Sequence, residues 1–363
     1  MLRRGCQAGG YQPSRATASQ GIPAMSAALL YLALAAAPGH STCLAATPPS
    51  AAALALAVSR PPAPEPQALP VIHTAGTLPH TGIHDQSAAA VRDFGYMLDL
   101  ALAWRDSRDA AALARLARYL DAWLPGYRPS FQPIDETNLG GLILAYRLTA
   151  ADLPLATAQR TRAFIETLAE GYLQHMEAHR GDARGVWSNN WQSHRIKLAT
   201  LAAGALDDPA LFARGRAAFV AQLSVNLKPD GEVLDFGERD ALHYVVYDLE
   251  PLVLAAAVAR GRGEDWLHLP GRDGQTLARA LDWLLPYAQG QRSHEEFRKT
   301  TVHFDVQRAE AGLPGYAGRW DPQNARNLYW SASLLDPRYA SIARQLAAAP
   351  PRLLWAFAPA CQG

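Results

Sequence analysis

The feature that most constrains this chain is a succession of long apolar segments with a helical period, separated by short stretches rich in proline, glycine and aspartate. Alanine, leucine and valine occupy more than one side of many of these helices, and alternating, strand-like runs are scarce. The sequence therefore predicts an all-α fold. The predicted helices are Ser87–Trp104, Ala110–Trp123, Asn138–Leu148, Ala156–His179, Asn190–Leu206, Pro209–Val225, Asp240–Arg260, Gln275–Tyr287, Asn324–Ser333 and Pro337–Ala347.

Helices that are apolar on more than one side need cover on both flanks. A two-layer array of antiparallel helical hairpins, curved into a toroid, supplies that cover for its inner layer and leaves a concave mouth as a cleft. We therefore predict an (α/α) toroid or incomplete barrel. An ordinary helical bundle is the alternative, because periodicity does not specify closure.

The first residues have the pattern of a targeting segment. A short apolar run, Ala27–Ala37, is followed by small residues that end at Ala46, as in a secretory leader and its cleavage site. The run is too short to span a bilayer as a mature helix. We expect a signal peptide over residues 1–46, a Pro/Ala-rich linker over 47–69 and a single toroid domain over 70–363. The alternative is an apolar N-terminal helix of the fold.

Export would place the mature protein in the periplasm or outside the cell, without membrane association once the leader is removed. Cys6 and Cys43 fall within the predicted leader, which leaves Cys361 and no internal disulfide. No cysteine-rich metal site and no cofactor are expected, and we expect a monomer.

Charge restricts the partners. The chain has 34 basic and 33 acidic residues, and loss of the three leader arginines leaves 31 basic residues. A nearly neutral protein has no global field that attracts a polyanion, so an acidic ligand needs a locally basic groove. Basic runs interleaved with aromatic residues are absent, which argues against a nucleic-acid partner.

Two polar clusters interrupt the apolar pattern. In the first, Asn190, His194 and Lys197 lie at i, i+4 and i+7 and share one helical stripe. Ser188 is the expected N-cap, which would place Asn189 and Asn190 in the first turn, where backbone N–H groups favour an anion such as a substrate carboxylate.

The second cluster lies on the helix that begins near Asp240. At about 100° per residue, one face of this helix is core and the other is a strip of functional groups. Burying such a strip without partners would cost about 1–3 kcal/mol per group, so the sequence predicts a cleft beside it. The core face holds Leu242, Val246, Leu249 and Val253, and the polar strip holds Asp240, His243, Tyr244 and Tyr247.

At these clusters the chain resembles the alginate lyase superfamily. Its mannuronate lyases carry an Asn-Asn-His motif and a later Arg-Ala-Leu-x-Tyr-His-x-Tyr-x-Leu motif, which are similar to Asn189–His194 and Ala241–Leu252 here. The segment Ile72–Pro79 is similar to the family's glycine-containing lid. The resemblance implies a toroid that cleaves a uronic-acid polysaccharide, above all alginate or poly-mannuronate, by β-elimination.

The resemblance also implies roles. Asn190 would clamp the substrate carboxylate with support from Asn189, and Tyr247 would protonate the leaving oxygen and is also a candidate base. Arg239 would lower the pKa of that phenol or bind the substrate. The remaining candidates for substrate binding are Trp191, His243, Tyr244 and His73.

The chain departs from the family motifs in two places. Trp191 stands where the mannuronate lyases have histidine, so either His194 takes the role of base or neutraliser, or the base is Tyr247 alone. The motif arginine falls on Asp240, one residue after Arg239. The substrate is therefore open among poly-mannuronate, guluronate blocks, glucuronan and other uronans.

Two other functions remain as alternatives. A glycoside hydrolase on the same kind of toroid would need two carboxylic acids about 5–10 Å apart across the bond. A non-catalytic polysaccharide-binding protein would need none of the acid–base groups. The carboxylates available to a hydrolase are Asp135, Glu136, Asp235, Glu238, Asp240 and Asp248. The charged stretch His294–His303 reads as a solvated loop that could close over the cleft.

Overall fold

The computed structural model describes residues 43–44 and 46–359, so most of the predicted signal peptide lies outside the described residues. Within these bounds the regular structure is helical, with isolated β-bridges and no β-strand. The α-helices are α1 (Ala51–Val58), α2 (His84–Ala90), α3 (Arg92–Ser107), α4 (Ala110–Trp123), α5 (Pro133–Glu136), α6 (Leu139–Thr149), α7 (Leu155–Ala178), α8 (Asn190–Leu206), α9 (Pro209–Asn226), α10 (Leu234–Arg239), α11 (Leu242–Gly261), α12 (Leu277–Ala288), α13 (His303–Glu310), α14 (Arg326–Ser333) and α15 (Ala340–Leu346).

These helices form two layers of antiparallel hairpins. In the inner layer α3 packs against α6, α6 against α8, α8 against α11 and α11 against α14. The outer layer consists of α4, α7, α9, α12 and α15, each in contact with the inner helix that precedes it. Every residue of α8 from 192 to 203 is buried, whereas α9 buries one stripe that includes Phe212, Phe219 and Leu223. The predicted all-α class and (α/α) toroid are confirmed.

Local signals set the helix boundaries. The predicted limits of α4 and α8 agree with the structure at both ends. The Asp109 carboxylate accepts hydrogen bonds from the backbone N–H groups of Ala111 and Ala112 and so caps α4. Asp208 caps α9 in the same way, and Pro209 occupies the first turn, where no N–H is needed.

The segment predicted as a linker contains a helix. Ser50 caps α1, and Leu54 and Val58 are buried where α1 packs against α3. Alanine between prolines is typical of a linker, but alanine is also the best helix former. Tertiary contact with α3 is what holds this short helix, because eight residues are marginal in isolation.

The folded unit also includes residues assigned to the leader. Leu44 is buried, and its N–H donates a hydrogen bond to the carbonyl of Pro359 at 2.8 Å. Cys43 is disulfide-bonded. A disulfide is therefore present in the full chain, whereas the prediction of none concerns the chain after loss of a leader that includes Cys43. The leader itself stays a prediction.

The central helix α11 has an apolar length that would suit a membrane span, the one such case among the helices described, yet most of it is buried inside the protein. Pro251 lies within this helix. A proline has no N–H, so the carbonyl of Tyr247, four residues earlier, lacks its helical hydrogen-bond partner.

The inner helices α3 and α6 approach each other closely at Gly141. A Cβ atom added there would lie 2.4 Å from the carbonyl oxygen of Phe94, which is shorter than any normal contact. At Gly95, on the facing helix, an added Cβ meets nothing within 4 Å. Alanine substitutions at the two positions therefore distinguish close packing, which matters only at Gly141, from helix propensity, which matters at both.

We expect Gly141→Ala to lower the free energy of unfolding by about 1–3 kcal/mol, because helix α6 must move away from α3. Gly95→Ala is the control and should leave stability unchanged or raise it by up to about 1 kcal/mol through better helix propensity. Urea unfolding followed by circular dichroism measures both. Equal stability of Gly141→Ala and the wild type would contradict the close packing.

Candidate active site

A cavity of about 280 Å³ opens beside the N-terminal turns of α11. A larger hollow of about 660 Å³ lies against α1 and α3, but no residue of either polar cluster lines it, so we assign the site to the smaller cavity. Its lining includes two arginines and no aspartate or glutamate among the described residues. The lining residues are Ala75, Gly76, Ile134, Trp191, Arg239, His243, Tyr244, Tyr247, Phe304, Arg308 and Tyr316.

The polar strip predicted for α11 faces this cavity. His243, Tyr244 and Tyr247 all line it, one helical turn or less apart. The Arg308 guanidinium donates a hydrogen bond to the Tyr244 hydroxyl at 2.7 Å. The Arg239 guanidinium lies 3.7 Å from the centroid of the same ring, a cation–π contact.

A distant loop holds the start of α11. The Glu296 carboxylate accepts hydrogen bonds from the N–H groups of Leu242 and His243 at 2.8 and 3.1 Å. These donors have no partner inside the helix, and a carboxylate there also suits the helix dipole. Glu296 and Phe297 are buried, so the stretch predicted as a solvated loop is instead partly packed against the site.

Asp240 occupies the position of the family's motif arginine and binds a neighbouring loop instead. Its backbone carbonyl accepts from the N–H of Phe297 at 2.8 Å, and its carboxylate accepts from the N–H of Lys299 at 2.9 Å. Asp240 thus anchors the loop, while the neighbouring Arg239 lines the cavity. The departure in sequence therefore leaves an arginine in the pocket.

Two buried carboxylates lie behind Arg239. Its Nη1 is 2.6 Å from the Asp305 carboxylate, and its Nε is 3.4 Å from that of Asp235. Asp235 also accepts from the backbone N–H and the side-chain amide of Asn190, both at 2.8 Å. Burial raises the pKa of Asp235 to about 6, although Arg239 and Asn190 oppose the rise.

The start of α8 differs from the prediction in one respect. Asn189, not Ser188, is the N-cap, because the Asn189 side-chain oxygen accepts from the N–H of Trp191. The predicted binding of a carboxylate at this helix end is met by the protein's own Asp235. Asn190 is 1% exposed and does not line the cavity, so its role as a direct substrate ligand stays a prediction.

His194 lies behind Tyr247 rather than in the cavity. The two rings are adjacent, with centroids 4.5 Å apart, but His194 is 4% exposed and is not a lining residue. Its Nδ1 is 2.7 Å from the Thr137 hydroxyl, and Nε2 is buried without a well-aligned hydrogen bond. Burial and the nearby Lys197 cation hold the pKa of His194 well below its usual value.

Burial also sets the protonation of the groups that line the cavity. It raises the pKa of the Tyr247 phenol well above 10, an effect that the nearby phenol of Tyr316 reinforces and the cation of Arg308 opposes. It lowers the pKa of His243 to about 4, helped by Arg308 and Arg239. At neutral pH the pocket therefore presents a protonated phenol and a neutral imidazole.

The segment predicted as a lid is held against the site by Asp135. Its carboxylate accepts from the backbone N–H groups of Thr74 and Ala75 at 2.6 and 2.7 Å, and lies 3.1 Å from Nδ1 of His73. The His73 side chain is half exposed and does not line the cavity, whereas Ala75 and Gly76 do. The contribution of this segment is therefore mainly its backbone.

Residues of the site that the sequence does not reveal include Arg308, Tyr316 and Asp235. Arg308 and Tyr316 come from a part of the chain some sixty residues after the second cluster, and no motif marks them. Asp235 was considered only as a hydrolase acid, whereas it links Asn190 to Arg239. Proximity in the fold, not spacing along the chain, identifies all three.

The helical toroid places the protein in the (α/α) toroid class, and comparison with known proteins narrows this further. A family model described as alginate lyase matches residues 41–294. The chain therefore belongs to the alginate lyase family, a family of polysaccharide lyases.

Individual relatives agree with this membership. A polysaccharide lyase of Stenotrophomonas maltophilia (strain K279a) is 45% identical over 73 residues, which is 19% of this chain and 22% of that protein. The match thus spans about a fifth of the length of this curated relative.

Solved structures share the fold. An alginate lyase from Bacteroides ovatus has a TM-score of 0.53 at 16% identity, over 78% of this chain and 77% of that one. A variant of alginate lyase A1-III, from Sphingomonas species A1, complexed with a tetrasaccharide has a TM-score of 0.57 at 18% identity, over 88% of this chain and 90% of that one. At such low identity the likeness concerns the fold.

The lowered pKa of His243 predicts a pH-dependent stability. Between pH 6.5 and 4 the unfolded chain binds a proton at this residue and the folded chain does not, so this residue lowers the free energy of unfolding as the pH falls. The full effect is up to about 3 kcal/mol. We expect the difference in unfolding free energy between pH 7 and pH 4.5 to be smaller in His243→Gln than in the wild type.

Urea unfolding at the two pH values measures this difference. His268→Gln, at an exposed side chain on the surface, is the control and should keep the wild-type difference. If His243→Gln also keeps it, burial of the His243 imidazole does not contribute to the pH dependence.

Proposed function

We propose that the protein cleaves a uronic-acid polysaccharide, above all alginate or poly-mannuronate, by β-elimination. The observation that carries the proposal is the composition of the cavity, which combines two arginines, a protonated phenol and a neutral imidazole without a lining carboxylate. Such a site suits an anionic substrate and proton transfer rather than attack by a carboxylate. The family membership and the tetrasaccharide complex of an alginate lyase with the same fold support this substrate class.

β-Elimination makes three demands on a site. The C5 carboxylate must be neutralised, the C5 proton must be removed, and the departing C4 oxygen must be protonated. The electron pair of the C5–H bond becomes the C4–C5 double bond, while the pair of the C4–O bond leaves with the oxygen. No water is consumed, so the new non-reducing end is unsaturated.

The cations meet the first demand. Arg239 contacts the ring face of Tyr244 and Arg308 its hydroxyl, and these two arginines are the charged groups that line the cavity among the described residues. Their pairing with the buried Asp305 holds them in place. A guanidinium presents a planar fork that matches a carboxylate, so these two residues, rather than Asn190, are assigned to the substrate carboxylate.

Tyr247 and His243 meet the other two demands, which are protonation of the departing C4 oxygen and removal of the C5 proton. A phenol whose pKa is raised keeps its proton at neutral pH, which suits Tyr247 to donate to the leaving oxygen. A neutral imidazole can accept the C5 proton, and His243 is the imidazole that lines the cavity, with its ring nearly parallel to that of Tyr247. This assignment moves the role of base from His194, which is buried behind Tyr247.

The hydrolase alternative is less well supported, because its carboxylates serve other contacts. Asp135 holds the lid segment, and Glu136 accepts hydrogen bonds from Tyr127 and Ser130 in the core. Asp235 and Asp248 are fully buried.

A binding protein without activity is distinguished by experiment. Export to the periplasm or medium and the monomeric state stay predictions.

We expect the purified protein to produce rising ultraviolet absorbance from a conjugated unsaturated uronate when it acts on one of a panel of uronans. The panel contains poly-mannuronate, poly-guluronate and glucuronan, with a neutral glucan as control. Tyr247→Phe should reduce the rate by about 10²–10⁴-fold, because the leaving oxygen loses its proton donor, while substrate binding persists.

The comparison variant is Tyr316→Phe, which removes another pocket phenol and should have a much smaller effect on turnover. New reducing ends without absorbance would identify a hydrolase. Binding without any cleavage, unchanged in Tyr247→Phe, would identify a binding protein.

A further inference from the structure

We propose that Lys197, Thr137 and His194 form a buried hydrogen-bonded chain that positions Tyr247, whose carbonyl lacks a helical donor because of Pro251 in α11. The importance given to Tyr247 rests on the proposed function, but the chain of contacts is a property of the fold. These three residues are positioning residues, because none of them lines the cavity.

The chain begins with a buried cation. Lys197 is 7% exposed, and its ammonium group donates to both the carbonyl and the hydroxyl of Thr137, the first at 2.8 Å. Lysine is rarely buried, because loss of hydration disfavours its charge. Burial lowers its pKa to about 8, which still leaves it mainly protonated at neutral pH. A lysine buried here despite this cost indicates a specific role for its charged group.

Thr137 links Lys197 to His194 by accepting a hydrogen bond from the first and donating one to the second. Lysine can only donate, so the Thr137 oxygen accepts from Lys197 and its own proton is left for another acceptor. Nδ1 of His194 lies 2.7 Å from that oxygen and is the acceptor in reach. His194 is therefore the neutral tautomer that carries its proton on Nε2.

We assign that proton to the Tyr247 carbonyl, which needs a donor. Pro251 deprives the carbonyl of Tyr247 of its helical partner, and a buried carbonyl without a partner costs about 1–3 kcal/mol. The His194 ring packs against Tyr247, with ring centroids 4.5 Å apart, and its Nε2 is buried without a well-aligned partner. The nearby Tyr247 backbone raises the pKa of the imidazole, as an acceptor for its proton would. His194 thus supports Tyr247 where the helix cannot.

The electrostatic surroundings agree with this arrangement. The Lys197 cation disfavours a second charge on His194, which keeps the imidazole neutral and its tautomer defined. Glu250, on α11, acts in the opposite sense on Lys197 and favours its charged form. Asp135 lies on the other element packed here, α5, and raises the pKa of Tyr247 slightly.

Nitrogen-15 spectra of the histidine side chains test the proposal directly. In the wild type we expect His194, assigned by comparison with His194→Gln, to show a protonated Nε2 and an unprotonated Nδ1. Thr137→Val removes the hydroxyl with little change in shape. It should shift the His194 nitrogen signals and the ring carbon signals of Tyr247, and lower kcat by about 10- to 100-fold with KM within about twofold.

Two further variants separate positioning from stability. Thr137→Ser keeps the hydroxyl and should restore the signals and kcat. Thr149→Val is the matched control, because Thr149 is a buried threonine whose hydroxyl donates only to the Ala145 carbonyl of its own helix. It should lower stability without changing His194, Tyr247 or kcat.

Two results would overturn the proposal. One is a wild-type His194 with its proton on Nδ1. The other is a Thr137→Val protein that loses stability like Thr149→Val but keeps the wild-type Tyr247 signals. If no uronan is cleaved, the proposed function fails, and the spectra still decide whether the chain of contacts exists.

Discussion

The structure depends on one constraint, which is that α8 is buried along most of its length and yet carries polar side chains. A buried polar group must find a partner or cost free energy. Asn190 meets Asp235, Ser193 donates to Asp248, and Lys197 reaches Thr137. These contacts tie α8 to α10, α11 and the turn after α5, the elements that surround the cavity.

The same constraint accounts for the electrostatics of the site. The nearby carboxylates are not on the cavity surface but behind it, where Asp305 and Asp235 pair with Arg239, and burial with the charge of Asp235 keeps the pKa of Asp248 well above its usual value. The lining is left with Arg239, Arg308 and neutral aromatic groups. A nearly neutral protein thereby offers a locally cationic pocket, as an acidic ligand would require.

The loop that carries Glu296 shows how distant segments complete the site. It caps α11 from outside, and the chain that follows brings Arg308 and Tyr316 to the cavity. Both of these residues lie beyond the part of the chain that the alginate lyase family model matches, residues 41–294. The pocket therefore combines residues from the part of the chain that the family model matches with residues from the segment that follows it.

Much of the fold could be predicted from the sequence. Apolar periodicity and capping residues placed most of the long helices, and the polar strip of α11 was recognised because side-chain direction along a helix follows from a local repeat. The α1 helix, the disulfide of Cys43 and the burial of Glu296 could not be predicted, because contacts between residues far apart in the chain decide them.

The sequence by itself determined the helical class, the faces of the central helices and the residue types available for chemistry, since all of these depend on neighbours within a few turns. Only the tertiary structure decided which groups meet. It turned Asn190 towards Asp235, placed His194 behind Tyr247 and brought Arg308 into the cavity. The physical reason is that partners for buried polar groups come from other elements, and their choice depends on how the layers pack.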